Sequence, residues 1–273
     1  MTALLEVDNL CKHFGGVYAV NECSFTAAEG QVTGLIGPNG AGKSTAIDLI
    51  SGFKVPDSGT VVFDGAATLR RSWLPGLPAA WSPPHRLSRR GLIRTFQTPR
   101  EWPALTVLEN LLLAHFQPGR ERFWWSMWGP NRAEREGDEE ERKRARAILD
   151  EFGLLELRNE RAGNLSGGQK RLLEFARIRM AEPRLVILDE PMGGVNPVLG
   201  ERMAAAVLGF APNGTSVIIV EHNLPFIERV TDAVVVMAEG RVITEGPFDT
   251  LRSNQAVVDA YLGEMPSYDD LDS

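Results

Sequence analysis

A short apolar strand that runs directly into a glycine-rich loop and then into a helix is the feature that most limits the fold of this chain. Residues 31–36 have the composition of a buried strand, and residues 44–50 have the apolar spacing of a helix. The loop between them reads Gly-Pro-Asn-Gly-Ala-Gly-Lys-Ser, and its glycines, without a Cβ, allow the backbone to curl. Inward-pointing N–H groups and the following helix N-terminus favour an anion, so the segment predicts a phosphate-binding loop.

The two residues that close this loop indicate which anion it binds. We expect the Lys43 ammonium to reach the β- and γ-phosphates of a nucleoside triphosphate and the Ser44 hydroxyl to bind Mg²⁺. Ordinary residue usage produces such a pattern by chance in roughly one chain in a hundred of this length. The predicted nucleotide contacts are Gly37, Pro38, Asn39, Gly40, Ala41, Gly42, Lys43, Ser44 and Thr45.

The second half of the chain predicts a mostly parallel sheet. Residues 185–188, 217–220 and 234–237 are uniformly apolar, as strands buried on both faces are, and helical patterns separate or flank them. This alternation is typical of an α/β fold with crossover helices. Near the N-terminus, residues 4–10 alternate as in a strand with one solvated face, and residues 17–25 form a further predicted strand.

Two carboxylates follow the first of the apolar runs. Asp189 and Glu190 therefore lie where α/β proteins bind ligands, at the carboxyl edge of the sheet. Asp189 suits the coordination shell of a magnesium ion, and Glu190 suits a general base that polarises an attacking water. Without the glycine loop, two solvated turn residues would be the preferred interpretation.

Composition and the remaining segments exclude several classes. The 273 residues carry a formal charge of −7, which disfavours a nucleic-acid-binding surface, and the two cysteines favour a reducing compartment. With no apolar run near the ~20 residues that cross a bilayer, we expect a soluble, cytosolic chain.

Residues 66–90, rich in Pro and Arg, predict a long irregular segment, and residues 132–146 predict an exposed helix. The Trp-rich residues 117–131 are either a packed loop or a patch for a partner.

The pentapeptide Leu-Ser-Gly-Gly-Gln at residues 165–169 narrows the function. Ser166 can cap a following helix whose first N–H groups are exposed by Gly167 and Gly168, which makes a second anion site. The pentapeptide should arise by chance in on the order of one chain in several thousand. Together with the glycine loop it resembles the signature of the ATP-binding cassette (ABC) ATPases.

That resemblance covers nearly the whole chain and implies a fold. It implies an α/β P-loop NTPase core with a mostly parallel central sheet, an antiparallel N-terminal β-subdomain and a helical subdomain. We expect one cassette over residues 1–263, with the core at 1–96 and 165–263, the helical subdomain at 97–164, and a flexible acidic tail at 264–273.

The resemblance also implies roles for single residues and a dimer. His222 would contact the γ-phosphate, Gln97 would touch Mg²⁺ or the lytic water, and Phe14 would stack on adenine, with Tyr18 as the alternative. The signature would close on ATP held by the glycine loop of a second cassette, identical or paralogous. Its residues are Leu165, Ser166, Gly167, Gly168 and Gln169.

Within the family the chain is most similar to the ATP-binding subunits of branched-chain amino acid importers. The segments that carry this similarity are Pro84–Arg86, Arg94–Gln97, Leu105–Leu111, Glu190–Pro197, Glu245–Pro247 and Ala260–Gly263. The similarity implies ATP and Mg²⁺ as cofactors, two transmembrane permease subunits and a periplasmic solute-binding protein as partners, and a place on the cytoplasmic face of the inner membrane.

The ATPase alone does not identify its solute, because selectivity resides in the binding protein and the membrane subunits. The alternatives are importers of urea or short amides, exporters of lipid or polysaccharide, soluble ABC proteins of DNA repair or translation, and a module that binds ATP without turnover. Asn196 stands where most cassettes carry aspartate in the D-loop, although the importer branch often uses asparagine.

Overall fold

The structure is a computed structural model that describes residues 2–70, 80–95, 101–114, 132–251 and 254–262. Within those residues the chain divides into two compact units. Unit 1 comprises Met1–Gln97, Arg184–Gly193 and Val207–Ser273, and unit 2 comprises Thr98–Pro183 and Gly194–Ala206. The domain boundaries expected from the sequence stay a prediction.

The regular elements alternate along the described chain. The strands are β1 (Ala3–Phe14), β2 (Val17–Ala28), β3 (Val32–Ile36), β4 (Ser58–Phe63), β5 (Ala66–Arg70), β6 (Ala80–Trp81), β7 (Leu92–Arg94), β8 (Leu185–Asp189), β9 (Ser216–Val220), β10 (Ala233–Ala238) and β11 (Arg241–Gly246). The helices are α1 (Lys43–Ile50), α2 (Pro84–Arg89), α3 (Val107–Ala114), α4 (Arg132–Glu151), α5 (Gly167–Ala181), α6 (Pro197–Phe210), α7 (Leu224–Val230), α8 (Phe248–Leu251) and α9 (Gln255–Leu262).

The N-terminal strands form an antiparallel sheet in the order β2-β1-β4-β5-β6. Leu5 pairs with Phe63 and Val7 with Val61, and these four side chains are buried. Because side chains alternate across a strand, this register places the apolar side chains of β1 and β4 on one face. The expected antiparallel N-terminal β-structure is confirmed.

The second sheet has the order β11-β10-β3-β9-β8-β7, and all its pairs are parallel except β10 with β11. Every residue of β3, β8 and β9 is buried, which explains their mostly apolar sequences. Parallel strands end at the same edge of a sheet. The loops that follow β3, β8 and β9 therefore lie side by side. These loops carry most of the predicted site residues of unit 1.

The prediction of a long irregular segment over residues 66–90 is wrong within its described parts. β5 pairs with β4, and β6 pairs with β5, both in antiparallel orientation. These strand pairs satisfy the backbone hydrogen-bonding groups of a segment whose composition predicts a loop. Pro84 begins α2, because proline at a first helical position lacks only an N–H that has no helical partner there. Residues 71–79 lie outside the described residues.

The described part of unit 2 is built of helices. Thr106, followed three positions later by Glu109, predicts a capping box at the start of α3. The structure confirms it, since Thr106 N donates to Glu109 Oε2 at 2.8 Å and Glu109 N donates to Thr106 Oγ1 at 3.2 Å. The helix predicted over residues 132–146 is also confirmed, and α4 continues to Glu151. The Trp-rich residues 117–131 and the acidic tail at 264–273 lie outside the described residues. None of the helices that the structure describes is long and apolar enough to cross a membrane.

We predict that Gly52→Ala destabilises unit 1 more than Gly65→Ala does. Both glycines have positive φ, 76° and 65°, which costs a non-glycine residue roughly 1–2 kcal/mol. A Cβ at position 52 would also overlap with the carbonyl oxygen of Ser82, whereas one at position 65 meets open space. In urea unfolding monitored by circular dichroism, the free energy of unfolding of Gly52→Ala should be lower than that of Gly65→Ala by at least about 1 kcal/mol. An equal loss of stability in the two variants would contradict the described packing after α1.

Candidate nucleotide-binding and catalytic site

The loop between β3 and α1 is shaped by glycines that approach other backbone segments. Gly37 has φ 148° and Gly42 has φ 95°. A Cβ at position 37 would overlap with the carbonyl oxygen of Met237, and one at position 42 with that of Ala19. The loop therefore needs glycine at both positions, as expected for a backbone that curls around a phosphate.

The side chain of Lys43 lies over the same loop. Its ammonium donates hydrogen bonds to the carbonyl oxygens of Gly37 at 2.6 Å and Pro38 at 2.7 Å. Lys43 is also the first residue of α1, whose first turn contains no acidic residue. A cation and a helix N-terminus thus lie at one end of β3, which favours a bound anion.

Asp189, at the end of β8, takes part in a buried ion network. Arg94 Nη2 lies 2.9 Å from Asp189 Oδ2, and Arg94 Nη1 lies 2.5 Å from Asp48 Oδ1 in α1. Burial alone would raise the pKa of the Asp48 carboxyl, but hydrogen bonds and charges from Lys54 and Arg94 outweigh it and hold that pKa below its ordinary value. The network connects the carboxylate predicted to bind magnesium to the helix of the phosphate loop.

Glu190 occupies a turn with an uncommon backbone conformation. Its φ is 48°, a left-handed value that non-glycine residues adopt rarely. Its N–H donates to the carbonyl oxygen of Val220 at 2.9 Å, and its carbonyl accepts from Gly193 N at 3.2 Å. The turn after β8 is therefore bonded to the end of β9.

His222 follows β9 with an exposed side chain. The carboxylate of Glu221, beside it, is buried and accepts hydrogen bonds from the N–H groups of Met192, His222 and Asn223. The structure thus brings the glycine loop, Asp189, Glu190 and His222 to the carboxyl edge of neighbouring strands. Their individual roles stay predictions, and Gln97 lies outside the described residues.

Phe14 stands exposed at the end of β1. Its side chain is 49% exposed, and the Lys12 ammonium, itself paired with Asp57 at 3.0 Å, lies 5.7 Å from the ring centroid. Tyr18 is also exposed, and its ring packs against His13 at a centroid distance of 5.9 Å. Both aromatic rings are therefore open to solvent.

The signature pentapeptide begins α5 in unit 2. Ser166 N donates to Gln169 Oε1 at 2.8 Å and Gln169 N donates to Ser166 Oγ at 3.3 Å, which confirms the predicted cap as a complete capping box. A Cβ at Gly167 would meet open space, and one at Gly168 would lie 3.0 Å from Leu199 Cδ2. The helix N-terminus is therefore regular, capped and bordered by small residues.

Further along α5, a group of charged residues is largely buried within unit 2. Arg177 lies over the ring of Trp102 at 4.3 Å, and Lys170 pairs with Glu101 at 2.8 Å. Burial raises the pKa of Glu174 to about 7, although the positive charges of Arg171 and Arg177 act in the opposite direction. The signature helix therefore carries a carboxyl group that titrates near neutrality.

Sequence reasoning missed the parts played by Arg94 and Glu221. Arg94 follows two apolar residues in a strand, and an arginine in such a strand is a signal for a buried ion pair, because a buried guanidinium needs an acidic partner. Glu221 follows an apolar strand directly, as Asp189 and Glu190 do. The same pattern could have singled it out.

Comparison with known proteins gives consistent matches. A sequence model described as ABC transporter matches residues 20–193, and one described as branched-chain amino acid ATP-binding cassette transporter matches residues 241–265. The chain is 41% identical to a probable branched-chain amino acid transport ATP-binding protein of Archaeoglobus fulgidus over 97% of both chains. It is 35% identical to a high-affinity branched-chain amino acid transport ATP-binding protein of Pseudomonas aeruginosa, over 96% of this chain and 98% of that one.

Solved structures agree with the fold. The ADP conformation of an ATP-binding cassette of an ABC transporter superposes with a TM-score of 0.77 at 34% identity, covering 97% of this chain and all of that one. A nucleotide-free ATP-binding cassette gives 0.75 at the same identity, covering 96% of this chain and all of that one.

We predict that Phe14→Ala weakens ATP binding about tenfold, since stacking of a base on an aromatic ring is worth roughly 1–3 kcal/mol. Tyr18→Ala is the matched control and should leave ATP affinity within twofold of the unsubstituted chain. Titration with ATP and with inorganic tripolyphosphate separates base contacts from phosphate contacts, because only ATP carries a base. A larger loss for Tyr18→Ala would assign the stacking to that ring instead.

We predict that Glu174→Gln reduces the pH dependence of stability. The folded-state pKa of about 7 lies above the ordinary value of 4.5, so between these values the folded chain holds a proton that the unfolded chain has lost. The free energy of unfolding should therefore fall as pH rises through this window, by at most about 1.4 kcal/mol per pH unit. Urea unfolding between pH 4.5 and 8 tests this, with exposed Glu156→Gln as control; an unchanged slope in Glu174→Gln would contradict it.

Proposed function

Since this chain belongs to the ABC transporter family of ATP-binding proteins, we propose that it is the ATP-hydrolysing subunit of an importer for branched-chain amino acids. The relatives named for branched-chain amino acid transport match nearly the full length, and the C-terminal sequence model carries the same description. The single observation that carries the catalytic part is the convergence of the glycine loop, Asp189, Glu190 and His222 at one edge of the parallel sheet.

The geometry supports a separate role for each of these side chains. The loop N–H groups and Lys43 bind the phosphates, and Phe14 stacks on the base. Glu190 accepts a proton from the attacking water, and the exposed His222 contacts the γ-phosphate. A general base contributes typically 10²–10⁴-fold to a rate, so Glu190 carries much of the hydrolytic step.

The residues at this edge also fit a magnesium ion. The Ser44 hydroxyl and the Asp189 carboxylate offer the hard oxygen ligands that Mg²⁺ prefers, and such sites use one or two carboxylates together with substrate phosphates. When bound, the ion neutralises charge on the phosphate oxygens. Arg94 pairs with Asp189 Oδ2 at 2.9 Å and orients this carboxylate. Gln97 is a further proposed ligand.

The signature at the start of α5 supports a paired assembly. A capped helix N-terminus with Gly167 open to its surroundings can receive a phosphate group, and the chain already supplies a separate phosphate loop. We infer that Leu165–Gln169 bind the ATP of a second cassette, either a copy of this chain or a paralogue. ATP closes the pair, and hydrolysis reopens it.

The proposed partners follow from the importer function. Two transmembrane permease subunits bind the cassettes at the cytoplasmic face of the inner membrane, where this chain is peripheral. A periplasmic solute-binding protein delivers the amino acid and acts on this chain only indirectly. No nucleic acid takes part.

We predict that Glu190→Gln lowers ATP turnover by about 10²–10⁴-fold while ATP affinity stays within a few-fold, because the substitution removes the base and keeps the size of the side chain. Phosphate release at saturating ATP and equilibrium binding of a fluorescent ATP analogue measure the two quantities. Glu6→Gln, at an exposed position of β1, is the control and should retain full turnover. Undiminished turnover in Glu190→Gln would refute the assignment.

The solute is tested in the assembled complex. We expect the reconstituted transporter to couple ATP hydrolysis to uptake of leucine, isoleucine or valine when the solute-binding protein is present. Urea and acetamide serve as the competing solutes. Stimulation by these compounds and not by the amino acids would contradict the proposed substrate and leave the ATPase assignment intact.

A further inference from the structure

Glu221 is a buried carboxylate that no cation neutralises at close range among the described contacts. Its residue is 1% exposed, and the side chain alone is fully buried. Its Oε1 accepts a hydrogen bond from Met192 N at 2.7 Å, and its Oε2 accepts from His222 N at 3.0 Å and Asn223 N at 3.2 Å. Among the residues that the structure describes, the basic group within 4 Å of it is Nδ1 of the exposed His222, at 3.8 Å. Burying a carboxylate is costly, and here three backbone donors compensate for it.

The three donors lie on two different loops. Met192 belongs to the turn after β8 that carries Glu190, while His222 and Asn223 begin the segment after β9. One carboxylate therefore links the backbone beside the proposed base to the backbone of the residue proposed to contact the γ-phosphate. The link is independent of the Glu190–Val220 bond, which lies two residues earlier in the turn.

The turn after β8 needs such a link. Glu190 has φ 48°, a conformation that persists in a non-glycine residue only where surrounding contacts impose it. The described contacts that do so are the bonds of Glu190 N to Val220 O, of Gly193 N to Glu190 O, and of Met192 N to Glu221. Of these three, only the last comes from a side chain, so it can be removed by substitution without changing the backbone.

We propose that Glu221 is a positioning residue that holds the loops of Glu190 and His222 in one fixed arrangement and thereby sets the rate of ATP hydrolysis. It touches no substrate and acts through these two residues. The inference rests on ATP hydrolysis at this site and does not depend on the solute.

The chemistry of the link requires both carboxylate oxygens. A glutamine of the same size would direct its amide NH₂ at one set of backbone N–H groups, so at least one loop would lose its acceptor. An aspartate keeps both oxygens but is one methylene shorter and cannot span both loops. A misplacement of about 1 Å in a catalytic group can cost on the order of 10²-fold in rate. We therefore expect Glu221→Gln to lower ATP turnover by about 10–100-fold.

The test uses the full-length chain reconstituted with its membrane partners. Asp232→Asn is the matched control, because the Asp232 carboxylate also accepts a backbone hydrogen bond, from Val32 N at 2.8 Å, at the opposite end of the parallel strands. Turnover at saturating ATP, affinity for a fluorescent ATP analogue and the midpoint of thermal unfolding are measured for each variant. Glu221→Gln should lose turnover and keep ATP affinity within threefold, whereas Asp232→Asn should keep turnover.

A double-mutant cycle with Glu190→Gln distinguishes positioning from general destabilisation. If Glu221 acts through the loop of the base, adding Glu221→Gln to Glu190→Gln should lower the residual single-turnover rate by less than threefold. The same cycle with His222→Ala tests the other loop. Equal losses in both cycles, with and without Glu190 and with and without His222, would overturn the proposal, as would full turnover in Glu221→Gln. If Glu221→Gln does not fold, Glu221→Asp takes its place, with the same expected pattern and at least a tenfold loss.

The failures of the two proposals are distinguishable. Absence of stimulation by leucine, isoleucine and valine alike in the unsubstituted complex contradicts the import function. The test of Glu221 compares the basal rate of ATP turnover of Glu221→Gln with that of the unsubstituted chain. This ratio does not depend on which solute is transported.

Discussion

The parallel pairing of β3, β9 and β8 is the constraint on which the rest of the site depends. Parallel strands end at a common edge, so the register of these three strands decides which loops become neighbours. Val220 pairs with Leu35 on one side and Asp189 on the other, which brings the phosphate loop, the carboxylates after β8 and the segment after β9 together. The apolar character of all three strands follows from burial on both faces.

Charge at this edge is balanced by specific pairs. Arg94 connects Asp189 to Asp48 in the phosphate-loop helix, and Lys43 bonds to two carbonyl oxygens of its own loop. Glu221 is stabilised by three backbone donors. Arg94 and Glu221 each join two segments at this edge, whereas Lys43 is held within its own loop.

Several elements were predictable because their signals are local. The capping box at Thr106 follows from a threonine with glutamate three positions later, and the helix cap at Ser166 follows from a serine before a helical pattern; both form as expected. The irregular structure predicted for residues 66–90 is wrong within the described part, because the proline and arginine content of this segment conceals its strand pairing. β5 pairs with β4 across the two residues Asp64 and Gly65, and β6 pairs with β5.

The sequence by itself determined the chemical identity of the site: a glycine loop with lysine and serine, two acids after an apolar strand, a histidine after another, and the family to which these patterns belong. Only the tertiary structure decided how those residues are held. The bond of Glu190 N to Val220 O, the bond of Met192 N to Glu221 and the bridge from Arg94 to Asp48 and Asp189 all join segments far apart in the chain. Motifs report local composition, whereas these contacts arise from strand register and burial, which depend on the folded chain as a whole.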